Sequence, residues 1–237
     1  IQEANKILID KFPEYKEWIE LYYSRWDEML SGPIQDTVDI FKALKEKNNY
    51  DQFICHGDVI NYGPWSDDCV KLLNTINDPI LLKGNHEQYF LSGFYDGTNE
   101  IAKTFFEFCY TRFSQFELIN QYGDSFQIGN YKIQHTILNK YIFIDTKIVE
   151  IDQDYIIGHS HQQYNRTIGN KKLVNTGSVG QNRTYINCIN YILYDDKKNA
   201  ILLQNQLYDH NLIINKLISE SYPEICVNYY RNKNILK

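Results

Sequence analysis

Residues 79–90 read PILLKGNHEQYF, an apolar run that passes directly into a polar turn built on Gly84, Asn85 and His86. The same change occurs in residues 52–64, QFICHGDVINYGP, where a short apolar run ends just before Asp58. A short apolar run bounded by turn residues is typical of a buried strand. Between the two runs, residues 67–76 read DDCVKLLNTI and are predicted to be helical. This alternation of strand and helix favours an α/β fold.

The remaining chain extends this pattern. Helices are predicted within residues 1–48, including one from Ile34, for residues 99–122 as a hairpin and for residues 211–232 as a closing helix. From about Phe126 the apolar period approaches two. The strand-like runs are FQIGNYKIQH, KYIFID, DYIIGH, KLVNTGS, INCINYILYD and AILLQNQLYD. These patterns predict a layered α/β sandwich, with residues 1–237 forming a single domain.

Composition limits the functional classes. The net charge of −6 argues against a basic nucleic-acid-binding surface, and no sequence-specific nucleic-acid partner is expected. The sequence has no apolar run of the length that a transmembrane helix needs, so no membrane partner is expected. The five cysteines are widely spaced and form no CxxC pair, which predicts reduced thiols in a cytoplasmic protein. The oligomeric state is not predicted.

Potential metal ligands follow several of the predicted strands. His86, His135, His159 and His161 lie in short polar turns at strand ends, and Asp58 ends another strand in the same way. Side chains just beyond the carboxyl ends of strands share one crevice in open α/β sheets. Imidazole, amide and carboxylate groups together suit borderline divalent metals such as Mn, Fe or Zn. The sequence therefore predicts a metal site.

The order of these turns resembles the calcineurin-like metallophosphoesterase superfamily. The family pattern runs D-x-H, G-D, G-N-H-D/E, a lone H, G-H-x-H and N-P-G-S. The matching segments here are Gly57-Asp58, Gly84-Asn85-His86-Glu87, His135, Gly158-His159-Ser160-His161 and Asn175-Thr176-Gly177-Ser178. The GD…YGP and N-x-GSVGQ elements are similar to those of a small branch of stand-alone phosphatases and phosphodiesterases. The resemblance implies an αββα sandwich of two mixed sheets flanked by helices.

The resemblance also implies roles for individual residues. Asp58 would bridge two metal ions, His161 would bind the first metal, and His86 would stay off the metals and face the leaving group as a cation or general acid. The implied metal ligands are Asp58, Asn85, His135, His159 and His161. Two such metals clamp the attacking and leaving oxygens of an in-line displacement and activate water. Substrate-binding residues are not identified, and a solvated role is favoured for Arg183.

The family's first motif, D-x-H-G-N, supplies an Asp and a His to the first metal and does not occur in this sequence. If the helix predicted from Ile34 is the family's first helix, residues 29–32, MLSG, occupy the motif's position and keep only its glycine. Asp10, at the end of ILID, is another candidate, but Phe12 stands where the histidine is required.

A third explanation puts the motif upstream of Ile1. Residues 13–33 are then a helical insert, and the family's first strand is missing from this chain. The other motifs are intact, which favours this explanation. Loss of the first motif should have allowed substitutions to accumulate in them. Of the ligands to the first metal, this chain keeps Asp58 and His161. The chain is therefore expected to bind one metal, where the full-length family site binds two.

The sequence thus predicts a metal-dependent phosphoric ester hydrolase with a binuclear centre, acting on a phosphorylated small molecule or nucleotide as a phosphodiesterase or phosphomonoesterase. One alternative is a catalytically impaired binding module without the D-x-H motif. Another is a hydrolase like the protein phosphatases or dinucleoside tetraphosphatases, which Glu87 and the G-P-x-S stretch at 63–66 suggest. Tyr62 argues against the second alternative, since those families have Arg there.

Overall fold

The structure of the protein is a computed structural model that describes residues 50–236. The helices predicted within residues 1–48, the insert at 13–33 and each position within the chain considered for the first motif lie outside these residues. The assignment of residues 1–237 to one domain therefore stays a prediction. Among the described residues, no helix has the length and apolarity needed to cross a bilayer.

The first part of the described chain alternates strand and helix, as predicted. Strand β1 (Ile54–Cys55) leads to helix α1 (Ser66–Leu73), and strand β2 (Ile80–Leu81) leads to helix α2 (Asn85–Ser92). β1 and β2 pair in parallel, with Ile54 opposite Ile80. The turns that follow these two strands therefore meet at the same edge of the ladder. Helices α3 (Glu100–Tyr110) and α4 (Phe116–Asn120) form the region predicted as a helical hairpin.

The second part contains a five-stranded mixed sheet in the order β3-β4-β5-β7-β6. Its strands are β3 (Ser125–Ile128), β4 (Tyr131–Gln134), β5 (Asp154–Ile157), β6 (Tyr164–Ile168) and β7 (Lys171–Asn175). β4, β5 and β7 run parallel, while β3 and β6 are antiparallel to their neighbours. Strands β8 (Cys188–Asp195) and β9 (Ala200–Leu207) form an antiparallel hairpin, and helices α5 (Asn211–Ser219) and α6 (Glu224–Arg231) follow.

Both faces of the five-stranded sheet are buried. Ile156 of β5 packs with Leu82 and with strand residues that include Ile54 and Ile192, so one face contacts the other two ladders. Its neighbours Tyr155 and Ile157 point the opposite way, against apolar residues of the connection at 137–151. This alternation follows the two-residue period of a strand. A third core cluster joins the helices to the β8–β9 hairpin.

Two predicted elements differ from the observed ones. The run KYIFID at 140–145 is not a strand. Its backbone groups bind side chains instead of a neighbouring strand: the carbonyl of Ile142 accepts hydrogen bonds from the hydroxyls of Ser160 and Tyr164. The predicted closing helix is two helices, α5 and α6, because Pro223 lies between them and disfavours helical backbone in the residue before it. Strand β6 was not predicted.

Two glycines allow the β1 and β2 turns to approach each other. Gly57 has a φ of 100°, and a Cβ there would overlap the backbone nitrogen of Gly84. A Cβ on Gly84 would in turn overlap the Oδ1 atom of Asp58. The close backbone contact between the two turns therefore requires glycine at both positions.

We expect Gly57→Ala to destabilise the protein far more than Gly169→Ala. Both glycines have positive φ, but a Cβ at Gly169 has no neighbour within 4 Å. The control substitution should cost roughly 1–2 kcal/mol, the price of a left-handed conformation alone. Gly57→Ala adds a backbone overlap, so its cost should exceed that value. Urea unfolding of both variants measures the difference, and equal stabilities would contradict the steric account.

Candidate metal centre

The sequence-predicted site residues lie in turns at the carboxyl ends of four strands. Asp58 follows β1, Asn85 opens α2 after β2, His135 follows β4, and the pair His159 and His161 follows β5. Asp58 has a φ of 56°, His159 of 60° and His161 of 57°. A left-handed backbone at residues other than glycine is uncommon and clusters at functional sites.

The carboxylate of Glu87 connects the two turns that carry Asp58 and Asn85. It accepts hydrogen bonds from the backbone N–H groups of Asp58 (2.8 Å), Val59 (2.8 Å) and Gly84 (2.7 Å), and its side chain is fully buried. The N–H of His86 in turn donates to Oδ1 of Asp58 at 3.1 Å. Glu87 thereby fixes the position of the Asp58 backbone relative to the start of α2.

Four side chains converge on one point. The Nε2 atom of His135 lies 3.1 Å from Oδ2 of Asp58, 3.0 Å from Oδ1 of Asn85 and 3.0 Å from Nδ1 of His159. Ligand atoms of Asp58, His135 and His159 lie within 4.8 Å of one another. The structure therefore brings together one carboxylate, one amide oxygen and two imidazoles.

The hydrogen bonds around this cluster favour a bound cation. Nδ1 of His135 lies 3.0 Å from the carbonyl oxygen of His56, so the neutral ring carries its proton there and leaves a lone pair on Nε2. With the proton of a neutral His159 on its other ring nitrogen, that lone pair faces three further lone-pair atoms. A proton on His135 or a bound cation relieves their mutual repulsion. Histidine ligands commonly donate their other ring N–H to a carbonyl in this way.

The electrostatics of the cluster agree with this donor set. Burial opposes ionisation of Asp58, but His135 and His86 hold the pKa of its carboxyl well below the usual range. Burial lowers the pKa of His159 to about 4, so its ring is neutral and its lone pair is available. Burial also disfavours a charge on His135, but Asp58 outweighs this effect and raises its pKa. A divalent cation would compete for His135 with that proton.

His161 lies near this cluster but outside it. Its Nδ1 atom is 3.1 Å from the carbonyl oxygen of Gln181, which directs the proton of the neutral ring to that nitrogen and leaves Nε2 free. Burial lowers its pKa to about 3, so the ring is neutral. His161 has the properties of a metal ligand, but among the described residues no other histidine joins it in a second group of ligands.

His86 is buried and does not join the cluster. The side-chain nitrogen of Asn61 lies 3.0 Å from Nδ1 of His86 and 3.5 Å from the carbonyl oxygen of Ala102. Because an amide nitrogen donates, Nδ1 accepts, and a neutral His86 carries its proton on Nε2. Burial lowers the pKa of His86, which favours this neutral form. The ring of Tyr62 packs edge-on against it at 5.2 Å.

The N-x-GSVGQ segment supports the turn that carries His159 and His161. The side-chain nitrogen of Asn175 donates to the carbonyl of Gly158 at 2.6 Å and to the hydroxyl of Ser160 at 3.0 Å. Gly177, with a φ of 82°, returns its N–H to the Asn175 side chain at 2.9 Å. This segment therefore contributes by hydrogen bonding to the histidine turn.

The sequence did not identify Asn61 and Glu87 as site residues. Glu87 had a readable signal, since it is the third residue of α2 and its side chain returns to the N–H of Gly84 in a capping arrangement. Asn61 had none beyond its place in the polar GDVINYGP turn. The carbonyl of His56 contacts His135, while the His56 ring contacts Thr176 at 2.8 Å.

We expect Glu87→Gln to weaken both the fold and the metal site. A glutamine places an N–H₂ group against at least one of the three N–H donors, so a charge-assisted hydrogen bond is lost, worth about 1.5–3 kcal/mol. Glu107→Gln is the control, because Glu107 is exposed and its ion pair is with the exposed Lys103 of the same helix. Chemical unfolding and metal titration of both variants provide the test. A Glu87→Gln protein with wild-type stability and metal affinity would contradict the role given to this carboxylate.

Comparison with known proteins connects this site to a family. The model of the calcineurin-like phosphoesterases matches residues 30–174, which is more than half of the chain. An uncharacterized protein of Methanocaldococcus jannaschii is 26% identical over 202 residues, which cover 73% of this chain and 83% of that protein.

Two solved structures have a similar fold. A metallophosphoesterase from Sphaerobacter thermophilus has a TM-score of 0.61 at 16% identity, with 83% of this chain and 94% of that chain covered. A hypothetical protein from Pyrococcus horikoshii has a TM-score of 0.70 at 12% identity, with 84% and 92% covered. These similarities, together with the five-stranded mixed sheet, confirm the predicted fold class. The chain belongs to the calcineurin-like phosphoesterase family.

Proposed function

We propose that this chain is a metal-dependent phosphoric ester hydrolase whose metal is held by Asp58, Asn85, His135 and His159. The observation that supports this most directly is the convergence of three potential ligand atoms on Nε2 of His135, at 3.0–3.1 Å. Two imidazoles, one carboxylate and one amide oxygen suit Mn, Fe or Zn better than Mg or Ca, which prefer oxygen ligands throughout.

The metal and the protein divide the chemistry of ester hydrolysis between them. When bound, a divalent metal supplies Lewis acidity towards the phosphoryl oxygens and towards water. Asp58, Asn85, His135 and His159 would hold it, and Glu87 keeps the Asp58 and Asn85 turns at a fixed separation. The mechanism requires no serine or cysteine nucleophile. The protonation state of Cys55 agrees with this, since burial raises the pKa of its thiol to about 12 and keeps it protonated.

His86 is proposed as the residue that assists departure of the leaving group. Its Nδ1 faces Asn61, so Nε2 is the ring nitrogen that can carry a proton towards the leaving oxygen, and transfer of that proton requires the imidazolium form of the ring. The N–H of His86 holds Oδ1 of Asp58, which ties the ring to the metal site without making it a ligand. Both roles that the family resemblance allows, general acid and cation, require the imidazolium, which the charge of Asp58 favours against the effect of burial.

The proposal also includes a second metal ion. Asp58 and His161 would contribute to it, as in the binuclear centre implied by the family. Two protein ligands are few for a tight site, so this chain is proposed to hold one metal firmly and a second only with ligands from outside residues 50–236. Substrates are proposed to be phosphomonoesters or phosphodiesters of a small molecule or nucleotide. A cytoplasmic location is proposed from the cysteines, which are free thiols.

Metal content and activity test this proposal together. After dialysis the protein should retain about one Mn, Fe or Zn per chain and hydrolyse bis-p-nitrophenyl phosphate when Mn²⁺ is added, because one complete ligand set is present. Asp58→Asn and His159→Ala should lose both properties, whereas His210→Ala, at the start of α5, should retain them. Elemental analysis that finds no metal in the wild-type protein would overturn the assignment. Metal retention without hydrolysis would favour the binding-module alternative.

The role of His86 is tested by varying the leaving group. His86→Ala should leave metal content unchanged and lower kcat for alkyl phosphates by about 10²–10⁴-fold, the usual contribution of a general acid. The loss should be smaller for p-nitrophenyl phosphate, because p-nitrophenolate leaves without protonation. Asn61→Ala should show the same dependence more weakly, since it removes the partner of Nδ1. Loss of metal, or equal losses for both substrates, would contradict the assignment.

A further inference from the structure

The ring of Tyr141 is stacked on the ring of His159. The two ring centroids are 4.0 Å apart, and the ring planes meet at 22°. Tyr141 is 51% exposed, whereas the next residue, Ile142, is 1% exposed and belongs to the core. A large aromatic side chain held on the surface adds little to core packing. Its contact with a candidate metal ligand therefore needs another explanation.

His159 differs from His135 and His161 in how its ring is held. Nδ1 of His135 lies 3.0 Å from one backbone carbonyl oxygen, and Nδ1 of His161 lies 3.1 Å from another. Nδ1 of His159 instead faces the cluster, 3.0 Å from Nε2 of His135. A hydrogen bond from the second ring nitrogen commonly fixes the orientation of a histidine ligand. Among residues 50–236, Nε2 of His159 has no such partner.

The backbone beside Tyr141 is attached to the turn that carries His159. The carbonyl of Ile142 accepts hydrogen bonds from the hydroxyl of Ser160 at 2.7 Å and from the hydroxyl of Tyr164 at 2.9 Å. Ser160 directly follows His159 in the chain. The hydrogen bonds that replace strand pairing at 140–145 therefore also fix the position of Tyr141 relative to His159.

Phe143 and Arg183 continue the row of stacked side chains. The ring of Phe143 is nearly parallel to that of Tyr141, with an angle of 10° and a centroid distance of 6.3 Å. The guanidinium carbon of Arg183 lies 5.9 Å from the Phe143 centroid, and its Nε donates to the carbonyl of Ser160 at 3.3 Å. The row thus starts at His159 and returns to the residue next to it. These contacts restrict the Tyr141 ring although it lies outside the core.

We propose that Tyr141 is a positioning residue that holds the His159 ring in the orientation needed to bind the metal. The stacked ring takes the place of a hydrogen bond at Nε2, because it limits rotation of the imidazole and keeps water off one of its faces. The hydroxyl of Tyr141 takes no part in this role. The inference rests on the proposed function only in taking His159 as a metal ligand, and it depends on neither the reaction nor the substrate.

Metal affinity tests this inference. In competition with a chromogenic chelator for Zn²⁺, Tyr141→Ala should raise the dissociation constant of the protein about tenfold, as for loss of other groups that orient a metal ligand. Tyr141→Phe should bind like the wild type, since it keeps the ring. Tyr141→Leu should resemble Tyr141→Ala, because an apolar side chain without a flat ring does not restore the stack. Phe94→Ala is the control, since Phe94 is 66% exposed and, within the described chain, stacks on no histidine.

The visible spectrum of the Co²⁺-loaded protein provides a second measurement, which reports the geometry of the ligands and not activity. The d–d bands should shift in Tyr141→Ala and Tyr141→Leu and keep their wild-type positions in Tyr141→Phe. Equal affinities and spectra in all variants would overturn the inference. A loss in Tyr141→Phe as large as that in Tyr141→Ala would also overturn it, because the hydroxyl would then be the active group.

The failure of this inference is distinguishable from the failure of the proposed function. If Tyr141→Ala weakens metal binding and the wild-type protein hydrolyses no phosphoester, the role of Tyr141 stands and the proposed reaction is removed. If the wild type hydrolyses bis-p-nitrophenyl phosphate and all variants bind metal equally, the reaction stands and the role of Tyr141 is removed. Wild-type protein that binds neither Zn²⁺ nor Co²⁺ would overturn both.

Discussion

The site depends on one buried carboxylate that accepts three backbone N–H groups. Glu87 contacts the N–H groups of Asp58, Val59 and Gly84, and all three bonds are 2.7–2.8 Å long. Burial and the charge of Asp58 raise the pKa of this carboxyl, and the backbone N–H groups oppose that effect, so separation of the two turns would leave a buried acid without its hydrogen-bond partners. The glycines at positions 57 and 84 make the approach sterically feasible. The position of Asp58, and with it the cluster around His135, follows from this contact.

The sequence singled out the residues that the structure brings together in the candidate site. Asp58, His135 and His159 were chosen because each follows an apolar strand, and parallel strands carry such residues to one edge, whereas Asn85 was chosen through the family resemblance. The segment at 140–145 has the composition of a strand, but hydroxyl groups of Ser160 and Tyr164 satisfy its backbone. Those partners are distant in sequence. Local pattern therefore cannot distinguish such a segment from a strand.

The residues that orient the ligands and His86 were harder to predict than the ligands, because their partners are also distant in sequence. Asn61 orients the His86 ring, and Asn175 holds the histidine turn through Gly158 and Ser160. Neither role is visible locally, because each depends on a backbone carbonyl or ring that another part of the chain supplies. Arg183 is similar: it is exposed, as its sequence context predicted, but its Nε and N–H also contact the histidine turn. Function here rests on pairs of residues that only the folded chain brings together.

The positive φ values at His159 and His161 have a consequence for how such a chain would change over time. A left-handed backbone with a Cβ stores roughly 1–3 kcal/mol of strain at each position, which glycine would release. Stability alone would thus favour glycine at both positions, so the two imidazoles are expected to persist only where the proposed function requires them. A descendant released from that selection is expected to drift towards glycine in this turn before its core changes. The turn would therefore record the loss of activity earlier than the rest of the fold.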